Sequence, residues 1–179
     1  RSQKGSGYFS VKRFDRDGNK RLHMHTVSGL IHSNFRFPSL DYEDLLSLTG
    51  VLTKDIREVE KMFRLAVFNV MANNRDDHAK NFSFLMNEFG EWKLSPAYDL
   101  TFSNGPGGEQ STMVMGEGKN ISSKHLIKLG LEAKLSKEFI DDVFEQTYSA
   151  LANWESLSKN FGVSDSNREL IQKSIAKFR

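Results

Sequence analysis

Between Thr53 and Val70 the chain carries Ile56, Val59, Phe63, Ala66, Val67 and Val70 at near-ideal helical spacing. One stripe of a long helix must therefore be buried, and a helical core has to form around it. Thr53 offers a side-chain oxygen where that helix would start. A stripe of this kind is core and not a cofactor box; its use is to hold the next segment on a rigid support. That segment is polar: Asn74-Arg75-Asp76-Asp77-His78-Ala79-Lys80-Asn81, running into Phe82-Ser83-Phe84-Leu85-Met86.

Phe82 to Met86 and Glu91 to Leu94 look like two strands, with Asn87-Glu88-Phe89-Gly90 as the hairpin turn between them. A turn closing near Phe89 sets Asn81 opposite Ala97 or Tyr98, with Asp99 roughly one residue away. Asp76 stands five residues before Asn81. Phosphoryl-transfer loops use that spacing to place a carboxylate for the substrate hydroxyl's proton and an amide oxygen for magnesium. Asp99 is then the second carboxylate. Two protein oxygens suffice, because magnesium completes its shell with phosphates and water. Asp-x-x-x-x-Asn by itself is a weak pattern that arises by chance in many chains.

At 179 residues and 38% hydrophobic, the chain is long enough for a real core and short enough for one domain. With no cysteine, neither a disulfide framework nor a thiolate metal site is possible. No apolar run approaches the ~18 residues of a membrane span, so a cytoplasmic chain is expected. A net charge of +2 without a Lys/Arg tract does not argue for direct DNA binding. The opening at Arg1 on Gly5-Ser6-Gly7 suggests a piece of a longer protein.

Phe9 and Val11 alternate with polar residues up to Phe14, a half-buried strand pattern that Asp15 to Asn19 ends in a turn. His23, His25 and His32 lie close in sequence; without a Cys or an obvious third ligand they read as structural. Phe35, Phe37 and Pro38 read as a loop packed on the core. Ser39 or Asp41 caps a short helix through Tyr42, Leu45, Leu46 and Leu48, stopped by Gly50. Arg75 is an ion-pair candidate. Asn104 to Gly108 fits no phosphate-cradling motif and is expected as a mobile surface loop, with a short strand after it from Thr112 to Met115. Three helices close the chain. One is capped by Ser122 and carries Leu126 and Leu129; one is capped by Ser136 and carries Phe139, Val143, Ala150 and Trp154; one opens at Ser164 and carries Ile171, Ile175 and Phe178.

The longer string Asp76-Asp77-His78-Ala79-Lys80-Asn81-Phe82-Ser83, with Pro96-Ala97-Tyr98-Asp99 beyond it, is far more specific than its two end residues. With Phe9 to Arg16 and Pro38 to Leu45, it resembles the C-terminal half of the HipA family, bacterial serine/threonine kinase toxins of type II toxin-antitoxin modules. The resemblance covers essentially the whole chain. It implies a mainly α fold with a small β-hairpin, the large lobe of a protein-kinase-like structure. Residues 1–20 would be the end of the small lobe and the hinge, and residues 21–179 the helical lobe with catalytic loop and hairpin.

By the same resemblance Asp76 is the catalytic base, Asn81 and Asp99 are the magnesium ligands, and Lys12, Phe14 and Asp15 belong to the nucleotide hinge. The count to Asn81 favours Asp76 over Asp77, which takes a supporting role. A histidine is by type a candidate general base, but the family pattern makes His78 structural; Lys80 either touches a phosphate or is solvated. ATP and Mg2+ are the implied cofactors. The implied partners are a protein substrate such as an aminoacyl-tRNA synthetase and a helix-turn-helix antitoxin, with DNA reached only through the antitoxin and no membrane. The small lobe's phosphate-covering loop and lysine are absent from these residues, so the chain alone is expected to be inactive. Three other readings stay open: a small-molecule kinase with the same acidic trio, a non-catalytic antitoxin-binding module, and a magnesium-dependent nuclease.

Overall fold

The long helix expected from the apolar stripe is the axis of the computed structural model, which describes residues 8, 10–32 and 40–175. Phe9, Phe35, Phe37, Pro38, Ser39 and Phe178 lie outside the described residues. In chain order the elements are β1 (Arg16–Asp17), β2 (Lys20–Arg21), β3 (His23–Thr26), α1 (Val27–Leu30), β4 (Leu40–Asp41), α2 (Tyr42–Thr53), α3 (Ile56–Met71), β5 (Ser83–Met86), β6 (Trp92–Leu94), β7 (Thr112–Met113), α4 (Ser123–Glu132), α5 (Lys137–Ala152), α6 (Trp154–Asn160) and α7 (Asp165–Ile175).

Val59, Phe63, Ala66, Val67 and Val70 are buried along α3, joined by Met62. Ile56 departs from the expectation and is 55% exposed, since it stands on the first turn, where the stripe runs out beyond its neighbours. The helix is capped by Asp55, whose carboxylate accepts from Arg57 N at 2.9 Å, and not by Thr53, which is the last residue of α2. A carboxylate at a helix N-terminus also meets the positive end of the backbone dipole.

Asp41 caps α2, accepting from Glu43 N at 2.9 Å. Gly50 does not stop this helix. A Cβ on it would sit 3.5 Å from a Val59 methyl, an ordinary contact, so Gly50 lies inside the α2–α3 interface; the helix ends instead at Lys54 in the left-handed conformation, φ 54°.

The hairpin forms as expected. β5 and β6 pair antiparallel with Phe84 opposite Leu94 and Met86 opposite Trp92, around a turn in which Gly90 has φ 78°. A third strand, β3, joins the other edge of β5, with His23 opposite Met86 and Thr26 opposite Ser83. The His23 ring stands edge-on to Trp92 at 5.5 Å and to His25 at 6.0 Å, which gives these histidines a packing role.

The strand expected up to Phe14 does not form over its described part. Residues 10–13 are irregular and exposed, Val11 at 72%. Alternation makes a strand only where another edge supplies hydrogen bonds. The turn after it is real: β1 and β2 fold back around Gly18, φ 56°, and Asn19. The strand expected at 112–115 is shorter, with β7 pairing parallel to β4 and Val114 bridging to Glu117 across Gly116.

Ser122 caps α4 in a reciprocal arrangement with His125, and Ser136 caps α5 by accepting from Phe139 N. Leu126, Leu129, Ile140 and Val143 are buried. Trp154 and Ala150 do not extend the α5 stripe as expected: the helix ends at Asn153, Trp154 opens α6, and Ala150 is exposed. Gly130 marks the closest approach of α4. A Cβ there would lie 2.7 Å from Ile140 Cδ1 and 3.0 Å from a Phe63 ring carbon. No helix among the described residues is long and apolar enough to cross a membrane.

Phe63→Ala is expected to destabilise the domain by ~3–5 kcal/mol. Ile56→Ala, on the same nominal stripe, should cost well under ~1 kcal/mol. Urea midpoints of the two variants check this, and equal losses would refute the exposed position of Ile56.

Candidate active site

The loop after α3 is made by how the helix ends. Asn73 turns into the left-handed region, φ 56°, which an Asn tolerates better than most residues, and Asn74 N closes back on Asn69 O at 2.8 Å. The next stretch runs alongside a segment thirty residues on: Asn73 Nδ2 donates to Ser103 O at 3.0 Å, and Ser103 N to Asn73 O at 3.0 Å.

Asp77 anchors the loop. Its side chain is fully buried and accepts from Tyr42 Oη (2.6 Å), Gln110 Nε2 (3.0 Å) and Thr112 N (3.1 Å). Its carbonyl accepts from the Thr112 hydroxyl. The network extends outward, with Asn69 Nδ2 on Tyr42 Oη at 2.9 Å, Asn74 Nδ2 on Asn69 Oδ1 at 3.1 Å, and Gln110 Nε2 on Asn74 O at 2.8 Å. Burial raises the Asp77 carboxyl to about 7, against the opposing pull of its donors. Tyr42 is pushed well above its ordinary value, first by burial and then by the Asp77 charge.

Asp76, one residue earlier, is the opposite case. It is exposed, and its carboxylate makes no hydrogen bond or ion pair among the described residues. Asn81 Nδ2 donates to Asp76 O at 2.8 Å, while its Oδ1 accepts no hydrogen bond among the described residues. The β5–β6 register, continued three residues past Phe84 and Leu94, sets Asn81 opposite Ala97; Ser95 N on Ser83 O at 2.9 Å carries the pairing that way. Tyr98 then donates its hydroxyl to Lys80 O, tying the two arms together. Burial, and secondarily the nearby Asp99 charge, raises the Tyr98 pKa. Asp99 comes next in the left-handed conformation, φ 57°, exposed and without a hydrogen bond or ion pair among the described residues.

The candidate hinge meets the same place from another direction. The Phe14 ring lies 5.7 Å from that of Tyr98. Lys12 is exposed. Asp15 is buried, and both carboxylate oxygens are engaged, by Arg13 Nε (2.7 Å) and Nη2 (2.6 Å) and by Arg16 Nη1 (2.9 Å). The Arg13 hydrogen bonds hold its pKa below the usual carboxylate range. His78 is half-buried and its carbonyl accepts from Asn81 N, while Lys80 is exposed and its carbonyl accepts from Tyr98. Three links thus meet around the hairpin's open end: Asn81 to the Asp76 carbonyl, Tyr98 to the Lys80 carbonyl, and Phe14 to Tyr98. Among the described residues no three His, Asp or Glu side chains cluster as a dedicated metal cage would need.

Arg75 does not form the expected ion pair among the described residues. Its guanidinium donates to the carbonyls of Gly108 and Asn104, and Ser111 N and Oγ hold its own carbonyl at 3.1 and 2.9 Å. The 104–108 segment is therefore tethered, not a free surface loop. Gly105, φ 65°, has no room for a side chain, since a Cβ would lie 2.9 Å from Arg75 Cβ. Sequence reasoning missed Tyr42, Asn69, Gln110 and Thr112 as parts of this site. Asn69, a polar residue between Val67 and Val70, was the one visible signal.

The HipA-like C-terminal domain family model matches residues 1–154. Among curated proteins, Putative kinase Y4dM of Sinorhizobium fredii (strain NBRC 101917 / NGR234) is 26% identical over 159 residues, covering 84% of this chain and 39% of that protein. Among solved structures, the Shewanella oneidensis MR-1 toxin-antitoxin complex of HipA, HipB and operator DNA includes a chain that superposes with a TM-score of 0.71 at 15% identity. That alignment covers 94% of this chain and 48% of the other, so this chain spans less than half the length of either relative.

The raised carboxyl of Asp77 has a definite sign in stability. The unfolded carboxyl ionises near 3.8 and the folded one near 7, so between those values the folded state binds more protons. Stability from this group is full below about pH 4, falls as pH rises to about 7, and is level above, a total of up to about 4 kcal/mol. The free-energy gap between wild type and Asp77→Asn, measured by urea unfolding from pH 4 to 8, should change across that interval. A constant gap would refute it.

Proposed function

The chain belongs to the HipA-like C-terminal domain family, and from that premise we propose that it is the catalytic lobe of an ATP-dependent serine/threonine protein kinase of a toxin-antitoxin module. One contrast carries the reading. Of two adjacent aspartates, Asp77 is buried and saturated with donors, while Asp76 stands exposed and unpaired beside an Asn81 whose Oδ1 is uncommitted. A loop that fixes its backbone through one carboxylate and leaves the adjacent one open is built to present that second carboxylate to something.

In this reading Asp76 orients the substrate's Ser or Thr hydroxyl and takes its proton as the oxygen bonds to the γ-phosphorus and the bond from that phosphorus to the β–γ bridging oxygen breaks, with ADP as the leaving group. Asn81 Oδ1 and the Asp99 carboxylate are hard oxygen donors, the kind magnesium selects, and would hold that ion. When bound, magnesium neutralises charge on the β- and γ-phosphates. The left-handed backbone at Asp99 holds a carboxylate in a conformation that few side chains adopt, as functional positions often do. Phe14, against Tyr98, would flank the nucleotide, with Lys12 at the cleft edge and Asp15 keeping Arg13 and Arg16 in place. Asp77, His78 and Lys80 would support the loop through their buried or backbone contacts.

The partners are inferred by likeness. The Shewanella structure is a complex with HipB and operator DNA, and a helix-turn-helix antitoxin is the corresponding partner here, with DNA reached through it. The phosphoacceptor is a protein, with an aminoacyl-tRNA synthetase as the substrate class to try first.

The test uses the full-length protein that contains this chain. Asp76→Asn should lower phosphoryl transfer by roughly 10²–10⁴ while leaving magnesium-ATP affinity mostly intact. Asp99→Asn should weaken magnesium-dependent nucleotide binding itself. Radiolabelled transfer and calorimetric ATP titration separate the two, and an equal loss of ATP affinity from both changes would reverse the assignment of Asp76.

A further inference from the structure

Next to the loop that carries Asp76 lies a cleft of about 530 Å3, bounded by Val70, Asn73, Arg75, Gln110, Lys119 and Asn120, with glycine backbone at its rim. Among the described residues no carboxylate lines it. Its two cations also lack acidic partners among the described residues. Arg75 donates only to the carbonyls of Gly108 and Asn104, and neutral acceptors leave its charge uncompensated. The Lys119 ammonium makes no hydrogen bond or ion pair among the described residues. Elsewhere the pattern differs: Arg13, Arg57, Lys61 and Lys159 each hold a carboxylate within 2.6–2.8 Å. Glu117, the nearest acid in sequence to Lys119, is turned to the backbone N–H groups of Lys119 and Asn120 at 2.8 and 2.9 Å and does not enter the cleft.

The position matters as much as the charge. Arg75 is bonded directly to Asp76, and the Ser111 contacts to the Arg75 carbonyl fix the backbone between them. An extended peptide advances ~3.3 Å per residue, so one whose hydroxyl lies at Asp76 brings a flanking side chain within reach of the cleft. The donors left for it are the Lys119 ammonium, the remaining N–H groups of Arg75 and the Asn120 side-chain amide. The Gln110 amide is already spent on Asn74 O and Asp77, and one N–H of Asn73 on Ser103 O, which leaves Asn73 a single further donor at the wall.

We propose that this cleft is a substrate-specificity subsite for an acidic side chain, Asp or Glu, flanking the residue to be phosphorylated. The inference rests on the kinase reading and names which protein sequences that site prefers. A carboxylate there gains charge-assisted hydrogen bonds, whereas a lysine meets two uncompensated positive charges.

The experiment takes the full-length protein and a Ser-centred peptide set in which each flanking position is in turn Glu, Ala or Lys, measuring kcat/KM and, separately, peptide affinity by fluorescence anisotropy. At one flanking position Glu should exceed Lys by roughly tenfold or more, and Lys119→Glu should shrink or invert that ratio. Peptides phosphorylated without regard to flanking charge, or with a ratio that Lys119→Glu leaves unmoved, overturn the subsite and spare the kinase. If no peptide is phosphorylated but the acidic one still binds best and loses that advantage in Lys119→Glu, the subsite stands and the kinase reading fails. Absence of both transfer and charge-dependent binding removes both.

Discussion

One buried carboxylate holds the loop of the candidate site in register with two remote segments. Asp77 draws a phenol from α2, an amide side chain from the segment before β7 and a backbone N–H from β7 itself. A carboxylate taken out of water is costly unless its oxygens are fully met. That cost makes the arrangement specific: the loop has one position in which all three donors arrive, and displaced positions leave the charge uncompensated. Asp76 and Asn81 inherit their placement from it.

The hairpin supplies the second constraint. Its register brings the Asn81 arm level with the Ala97 arm, and Tyr98 locks the two by reaching across to Lys80 O. The Phe14 ring against Tyr98 then brings in a segment more than eighty residues upstream. Three stretches remote in sequence meet at one place, held by the Tyr98 hydroxyl on Lys80 O, the Asn81 amide on Asp76 O and the Phe14 ring on Tyr98. The Asp76 and Asp99 carboxylates take no part in those contacts.

How much the sequence disclosed depends on the range of the forces involved. The α3 stripe and the β5–β6 hairpin are legible because period and turn chemistry are local. So is the family, carried by the string from Asp76 to Ser83. Thr53 reads as a cap two residues early because Thr and Asp both accept; Asp55 wins as the residue whose carboxylate reaches Arg57 N. Gly50 looks like a terminator because a glycine's role in a helix interface depends on the neighbour, here Val59, that comes close to it. The strand before Phe14 fails for the converse reason, its pattern being local and its partner not. The network of Tyr42, Asn69, Gln110 and Thr112 is invisible in the sequence, since its members lie up to 35 residues from Asp77 and no spacing rule links them.

Asp41 serves two segments at once. Its carboxylate caps α2 at Glu43 N and also accepts from Met115 N at 3.1 Å and Gly116 N at 2.7 Å, seventy-odd residues later, beside the parallel pairing of β4 with β7. The cap needs only residues at the start of α2 itself, but the second set of bonds waits for residues 112–116 to leave the ribosome. The same stretch delivers Thr112 to Asp77. A nascent chain that has completed α3 and the Asp76 loop therefore still lacks the strand that fixes them. A chain interrupted before residue 112 carries Asp76, Asn81 and Asp99 without the contacts that residues 112–116 make to Asp77 and Asp41.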